Sequence, residues 1–259
     1  ISWLTFFRDF FLKQHGTYRE VSALIERAYH EYDVRFEFYG SVKDVSKALK
    51  RGIESKLLLN SMTLHEAFFK DSQDIVVFDI GANFGYLSLV WGQTICKEGT
   101  VYAFEPNQNV FKSFQNSISY NGLYDNITLE SNAFGGENKN VNLYIDGSTS
   151  NVDKDSNTLN ESTVINETVQ MLTLDTYIDT GRIERCDFVK IEDDGIELDI
   201  LHGSVTTIQK FRPIFIVETN MDDHIIAFFF HHNYTVLDMD LNEYLPHKTL
   251  PLNVFCIPK

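Results

Sequence analysis

The sequence predicts an α/β fold built on a mostly parallel, doubly wound sheet. From residue 75 onward, short apolar runs typical of buried strands alternate with segments of helical periodicity. Parallel strands need a crossover connection of a dozen or more residues, which a helix usually provides. The chain has 259 residues, of which 43% are hydrophobic, so it can bury a sizeable core. We expect two parts, a mostly helical extension over residues 1–70 and the sheet domain over residues 71–259.

The extension shows helical patterns around one strand-like segment at 34–40. In the opening ISWLTFFRDFFLKQ, apolar residues recur at the spacing of one helix face, which we expect to pack against the body of the protein. Membrane contact and docking on another domain are the alternatives. Arg8 and Asp9 interrupt the apolar run and no small-residue cleavage site follows, which argues against a signal peptide. No transmembrane segment is expected, and the first residue, Ile1, is compatible with a piece cut from a longer protein.

Within the sheet domain, apolar runs rich in Val, Ile and Phe indicate strands, and the periodic segments between them indicate helices. We assign strands to 75–80, 100–105, 126–131, 187–191, 213–219, 234–239 and 253–259. We assign helices to 84–95, 107–120, 197–210 and 221–231. Residues 141–145 are expected to form an edge strand, 168–178 a short strand and helix, and the polar stretch 146–163 a mobile loop.

Charge and cysteine content narrow the range of partners. The net charge of −15 disfavours a nucleic-acid substrate, because cationic contacts to phosphate supply most non-specific affinity. The basic stretch KALKR at 47–51 is interpreted as a solvated helix face. Cys96, Cys186 and Cys256 show no CxxC pairing, which argues against a disulfide framework or a zinc site. A reducing compartment fits this pattern, so we expect a cytoplasmic protein.

The first strand and its turn, IVVFDIGANFGYLSLV, carry the strongest signal for a ligand. The strand ends in Asp79 and turns through Gly81 and Gly85 into a helix that begins near Tyr86. Such a turn lets the backbone approach a ligand and points the helix N-terminus at it. Asn83 stands where a dinucleotide-binding fingerprint needs its second glycine. This departure disfavours a pyrophosphate ligand and an NAD-dependent oxidoreductase.

The second strand ends in Glu105, followed by Pro106. An acid at this place can accept hydrogen bonds from both hydroxyls of a ribose. A lone carboxylate at Asp79 would be costly, and a cationic ligand group, such as the ammonium of S-adenosylmethionine, would compensate it. Asn132 and Ala133 follow the third strand where a base would lie, or else form an ordinary loop. The pattern therefore predicts a nucleoside ligand with a small charged extension, the alternative being glycines that only shape the turn and a solvated Glu105.

Five blocks together resemble the FkbM-type S-adenosylmethionine-dependent methyltransferases over about residues 74–219. They are VVFDIGANFGYLSL, VYAFEPNQNVFKSFQNSISYN, LTLDTYI, DFVKIEDDGIELDILHGS and RPIFIVET, in that order. The resemblance implies a Rossmann-like class I fold with a seven-stranded sheet whose last strand is antiparallel. It also implies methyl transfer from S-adenosylmethionine to a hydroxyl, often on a sugar of a glycan, glycolipid or secondary metabolite. The 21 Phe and 12 Tyr would suit stacking on sugar rings, although most belong to the core.

The block KIEDDGIE departs from the usual Lys-Ile-Asp-Val-Glu-Gly-Ala-Glu, because Asp193 replaces the apolar residue. Glu192 and Asp194 keep the two acidic positions, and Glu218 ends the fifth strand. We expect these three acids to face the methyl group's destination. The cluster can act as a general base, with Asp194 favoured, as a divalent-metal site, or as a helix cap. Lys190 would pair with Glu192 or orient the acceptor.

The sequence thus predicts an S-adenosylmethionine-dependent O-methyltransferase for a sugar hydroxyl of a glycan or glycoside. A carbohydrate acceptor and no nucleic acid are expected as partners, and the chain could be one domain of a larger glycan-synthesising protein. An RNA ribose 2′-O-methyltransferase is the rival enzyme, disfavoured by the charge. A nucleoside-binding module without catalysis is the rival of another class. His224, just beyond the fifth strand, is a further candidate base.

Overall fold

The computed structural model describes residues 13–14, 17–146, 148–152, 165–193, 195–246 and 248–259. The predicted helix face at the start of the chain, much of the predicted loop at 146–163 and the candidate base Asp194 lie outside these described residues. None of the helices in the described ranges combines the length and apolar character that crossing a lipid bilayer requires.

The N-terminal extension contains a long β-hairpin before its two helices. Its elements are β1 (Lys13–Gln14), β2 (Thr17–Tyr18), β3 (Glu20–Tyr29), β4 (Tyr32–Ser41), α1 (Val42–Arg51) and α2 (Ser55–Phe69). β3 and β4 pair antiparallel along their whole length. The sequence predicts helical patterns around a single strand-like segment at 34–40, and the structure shows a hairpin over residues 20–41 instead. That the extension as a whole is mostly helical stays a prediction. Along β3, Val21, Ala23 and Ile25 turn inward and alternate with exposed residues, and this period of two is that of a strand.

The hairpin shares one hydrophobic core with the sheet domain. The rings of Phe36 and Phe38 meet the ring of Tyr86 edge-on, at centroid distances of 5.5 and 5.3 Å. Farther along the chain, the indole N–H of Trp91 donates to Ser61 Oγ of α2 at 3.0 Å. The extension is therefore packed onto the sheet domain, and the predicted division of the chain at residue 70 stays a prediction.

In the described residues after the extension, eleven strands form two sheets. They are β5 (Val76–Ile80), β6 (Thr100–Phe104), β7 (Ile127–Glu130), β8 (Ala133–Phe134), β9 (Lys139–Asp146), β10 (Thr149–Val152), β11 (Ile165–Leu172), β12 (Phe188–Ile191), β13 (Ile214–Glu218), β14 (Tyr234–Leu237) and β15 (Asn253–Pro258). The larger sheet has the order β14-β15-β13-β12-β5-β6-β7. Among the seven described strands of this sheet, β15 runs antiparallel to the other six. The predicted seven-stranded, mostly parallel Rossmann-like sheet with an antiparallel last strand is confirmed.

The helices of the sheet domain connect these strands. They are α3 (Tyr86–Trp91), α4 (Gln108–Asn121), α5 (Leu174–Thr180), α6 (Glu197–His202), α7 (Val205–Phe211) and α8 (His224–His231). The single helix predicted over 197–210 is two helices, because the chain turns at Gly203. A Cβ on Gly203 would lie 2.3 Å from the carbonyl oxygen of Gly135, so only glycine fits there.

The smaller sheet has the order β10-β9-β11-β8. The predicted edge strand at 141–145 belongs to this sheet and not to the large one. Part of the predicted loop, residues 149–152, is a strand that pairs with β9. A separate apolar cluster, which includes Leu143 and Ile145 of β9 and Met171 of β11, holds β9 and β11 together.

We expect the hairpin to be essential for stability. Phe36 is 1% exposed, so Phe36→Ala should lower the free energy of unfolding by about 3–5 kcal/mol, the usual range for a buried Phe. Leu24 lies on the same hairpin but is 42% exposed, and Leu24→Ala should change it by less than about 0.5 kcal/mol. Urea denaturation measures both, and equal losses would show that the hairpin is not packed as described.

Candidate active site

The turn after β5 brings the backbone against the tip of β12. Gly81 has a φ of +74°, and a Cβ there would lie 1.9 Å from the carbonyl oxygen of Glu192. Gly85 has a φ of +77°, and its missing Cβ makes room for the ring of Phe114 at 2.1 Å. Gly81 therefore permits a close approach between two strand tips, whereas Gly85 serves the packing of α3 on α4.

A buried ion pair joins β5 and β12 at this edge. Asp79 and Lys190 are register partners in the parallel ladder, and Lys190 Nζ lies 3.3 Å from Asp79 Oδ1. The same ammonium donates to the carbonyl oxygen of Gly81 at 2.9 Å and lies 3.3 Å from Glu192 Oε2. Ser88 Oγ donates to Asp79 Oδ2 at 2.5 Å. The counter-charge that we expected from a ligand is thus supplied in part by Lys190 itself.

Lys190 remains an ammonium in this environment. Burial alone would lower the pKa of Lys190, but the negative charges of Asp79, Glu192 and Glu54 outweigh it and raise this pKa above its ordinary value. A lysine of this kind does not accept a proton near neutral pH. Its role at the site is therefore to balance charge and to hold the turn at Gly81.

Glu105 lies at the tip of β6, beside the turn after β5. The N–H of Asn83 donates to Glu105 Oε2 at 2.9 Å, and the N–H of Asn107 donates to Oε1 at 2.8 Å. Burial is the main cause that raises the pKa of Glu105 to about 8, against the lowering effect of these hydrogen bonds. Asn83 adopts the left-handed conformation, with φ 52°, that points its N–H at the carboxylate. The turn after β5 and the acid at the tip of β6, which are the two parts of the predicted nucleoside site, are thus connected by a hydrogen bond.

One cavity collects most of the candidate residues. The predicted residues that line it are Asp79, Gly81, Asn83, Tyr86, Glu105, Pro106, Lys190 and Glu192. Asp193, the residue that departs from the family block, also lines the cavity. The Tyr86 hydroxyl lies 3.0 Å from the hydroxyl of Tyr29, so the hairpin fixes its position.

Three charged side chains of the extension, beside the apolar Phe38 and Ile53, complete the cavity wall: Asp44, Lys47 and Glu54. Sequence reasoning missed all three, and it assigned Lys47 to a solvated helix face. No local pattern distinguishes them, because the packing of α1 and α2 brings them to the strand tips. Among the described lining residues there are six carboxylic acids and two lysines, so the cavity is strongly acidic.

Other predicted residues lie outside this cavity. Glu218 ends β13, where it pairs with Asn253 of β15. Ala133 is buried in the smaller sheet opposite Met171, and Asn132 is half-buried before it. Gly85 lies beneath the turn against Phe114.

The candidate base His224 is also remote from the cavity. Its side chain is 78% exposed and its Nδ1 lies 2.7 Å from Asp222 Oδ1, and this contact raises the pKa of His224. In the described part of the chain, the one group of three side chains with metal-ligand spacing is Asp222, Asp223 and His224. The predicted metal site in the KIEDDGIE block stays a hypothesis.

Comparisons with known proteins point to methyltransferases. A sequence profile of the methyltransferase FkbM domain matches residues 79–236. A methyltransferase FkbM structure from Methylobacillus flagellatus KT is 16% identical, with a TM-score of 0.47, over 73% of this chain and 46% of that chain. A precorrin-6y C5,15-methyltransferase from Geobacter metallireducens GS-15 is 13% identical, with a TM-score of 0.40, over 80% of this chain and 89% of that one.

The N-terminal domain of human METTL16, solved in complex with SAH, is 14% identical with a TM-score of 0.42, over 78% of this chain and 70% of that one. This chain spans less than half, 46%, of the length of the Methylobacillus protein. No curated protein sequence matches the chain.

We expect the ion pair between Asp79 and Lys190 to control stability. Lys190→Met should lower the free energy of unfolding by about 3–5 kcal/mol, because it leaves a buried carboxylate uncompensated. The double variant Asp79→Asn with Lys190→Met should be more stable than Lys190→Met alone. Urea denaturation at pH 7 measures both.

Lys70→Met is the matched control, because Lys70 makes only an exposed pair with Glu66, and it should cost less than about 1 kcal/mol. A double variant as unstable as Lys190→Met would contradict the role given to Asp79.

Proposed function

Because the chain belongs to the FkbM methyltransferase family, whose domain covers residues 79–236, we propose that it transfers a methyl group from S-adenosylmethionine to a sugar hydroxyl of a glycan or glycoside. The observation that carries the proposal is the convergence of three neighbouring strand tips on one acidic cavity. In open α/β sheets, ligands bind beyond the carboxyl ends of the strands.

The donor would bind along the tips of β5 and β6. Glu105 is held by two backbone N–H groups and has remaining lone pairs for the two ribose hydroxyls. The adenine would extend past β6 toward Asn132, while the buried side chain of Ala133 leaves only its backbone for contact. S-adenosylmethionine, when bound, supplies a methyl group on a sulfonium, from which a neutral thioether departs as a good leaving group.

The acceptor would lie near the tip of β12. In the proposed reaction, the hydroxyl oxygen would form a bond to the methyl carbon as the carbon–sulfur bond breaks, and the hydroxyl proton would pass to a carboxylate of this chain. We propose Asp194, supported by Glu192, as this base, with a divalent ion at the same acids as the alternative. The excess of acids in the cavity supports a neutral acceptor such as a sugar over a phosphate-rich one such as RNA.

We also propose that the chain is part of a larger glycan-synthesising protein. A cytoplasmic location is supported by the three buried, unpaired cysteines, which fit a reducing compartment.

Calorimetry with S-adenosylhomocysteine tests the donor. We expect the wild-type protein to bind it, and Glu105→Gln to weaken binding about tenfold or more, because a carboxylate acceptor of ribose hydroxyls is lost. Glu98→Gln is the matched control, since Glu98 is an exposed acid before the opposite end of the same strand. A wild-type protein that does not bind S-adenosylhomocysteine would refute the donor assignment.

A panel of glycosides tests the acceptor, with capped RNA as control. Mass spectrometry should detect a gain of one methyl group on a glycoside and none on the RNA. Asp194→Asn should lower kcat by about 10²–10⁴-fold, the usual contribution of a general base, and should leave S-adenosylhomocysteine binding intact. Turnover that survives EDTA selects the metal-free base. Methylation of the RNA alone would favour the ribose 2′-O-methyltransferase, and binding with no turnover on any acceptor would favour the non-catalytic module.

A further inference from the structure

We propose that Glu54 of the N-terminal extension, together with Asp79 and Glu192, recognises the ammonium group at the amino-acid end of the methyl donor. This inference rests on the proposed function, since it concerns the same cavity and the same donor. It assigns a ligand-binding role to a part of the chain that lies outside the matched family domain at 79–236.

The backbone around Glu54 directs its side chain into the cavity. Glu54 lies between α1 and α2 and has a φ of +47°, in the left-handed region that residues with a side chain adopt at a cost in free energy. It occupies the N-cap position of α2, yet its carboxylate makes no capping hydrogen bond to that helix. The carboxylate instead lines the cavity. Local helix stability therefore does not explain the conformation of Glu54.

Two buried oxygens of this cavity have no hydrogen-bond partner among the described residues: Glu54 Oε2 and Asp79 Oδ1. Asp79 is 0% exposed, and Lys190 Nζ at 3.3 Å balances its charge without making a hydrogen bond to it. Buried polar atoms are almost always hydrogen-bonded in folded proteins, and an exception calls for an explanation such as a bound ion or a catalytic role. A ligand with several N–H donors would satisfy both atoms.

The charges around Glu54 require one further cation. Lys190 lies beside the carboxylates of Asp79, Glu192 and Glu54, and these groups act on one another. Burial is the main cause that raises the pKa of Glu54 to about 7, and the negative charge of Glu192 is the second. The positive charges of Lys190 and Lys47 lower this pKa. The groups that face Glu54 are thus two acids, Glu192 and Asp79, and two lysines.

The chemistry of the donor matches this arrangement. An ammonium carries one positive charge and three N–H donors, so it can bond to two carboxylates at once. A sulfonium carries the charge but no N–H donor and would leave the two oxygens unpaired. Lys47, on the same wall, supplies a positive charge for the donor's own carboxylate.

Calorimetry with two ligands tests the assignment. S-adenosylhomocysteine carries the amino-acid end, and 5′-methylthioadenosine lacks it but keeps the nucleoside. Glu54→Gln should weaken S-adenosylhomocysteine about tenfold or more and change 5′-methylthioadenosine less than about twofold. Glu66→Gln, an exposed acid on the same helix, should change neither. The melting temperature of Glu54→Gln should not fall, because the substitution removes a buried charge and keeps the shape.

Proton release gives a second readout. At pH 7 a Glu54 carboxyl with a pKa of about 7 is about half protonated, and contact with an ammonium ionises it. Binding of S-adenosylhomocysteine should therefore release about half a proton more from the wild type than from Glu54→Gln, measured in buffers of different ionisation enthalpy. Comparison with the variant separates Glu54 from Glu105, which titrates in the same cavity.

Each other outcome overturns a different statement. If the wild type binds neither ligand, the proposed function fails. If the wild type binds both and Glu54→Gln binds both equally well, or loses both to the same extent, Glu54 does not recognise the amino-acid end. If Mg²⁺ alone binds the wild type but not Glu54→Gln, while S-adenosylhomocysteine binding is unchanged, the acids hold a metal ion instead.

Discussion

The buried pair of Asp79 and Lys190 is the interaction on which the rest of the site depends. The two residues are neighbours in the parallel ladder of β5 and β12, and both side chains are almost completely removed from solvent. Either charge alone would strongly destabilise the fold there, because it would lose its hydration with no compensating partner. The pair therefore fixes which strand tips stand together. The same ammonium donates to the carbonyl of Gly81, so it also holds the turn that shapes the cavity.

Close backbone contacts connect this pair to the other acidic residues of the cavity. Gly81 lies where only a residue without Cβ can approach the carbonyl of Glu192, so the tips of β5 and β12 are in direct contact. The turn continues to Asn83, whose N–H holds Glu105 at the tip of β6. A change at the ion pair would thus alter the position of Glu105 through one short turn. The acids that sequence motifs identify separately form one connected unit in the structure.

Local apolar patterns are enough to predict the large sheet, and they fail for the hairpin for a specific reason. The first strand, expected at 75–80, is observed at Val76–Ile80, because a run of five apolar or buried residues has no helical alternative of that length. In β3, by contrast, Val21, Leu24, Ile25 and Ala28 also fit the spacing of a helix face. The structure leaves Leu24 and Ala28 exposed and pairs β3 with β4. Pairing with β4 makes β3 a strand, and the sequence of β3 alone does not show this pairing.

The acids of the cavity connect ligand binding with folding. Their contacts come from tertiary packing, so no local pattern places Glu54 at the cavity, whereas the strand and turn patterns predict that Asp79 and Glu105 lie at strand ends. Burial raises the pKa of Glu54 to about 7 and of Glu105 to about 8, well above the ordinary value near 4.5. Between that value and these pKa values the folded chain binds more protons than the unfolded chain, so these two groups make stability fall as pH rises. A cation that binds beside them in the ionised form removes this disadvantage. Under the proposed function, the acidic cavity lowers the stability of the free protein at neutral pH and raises its affinity for a positively charged ligand.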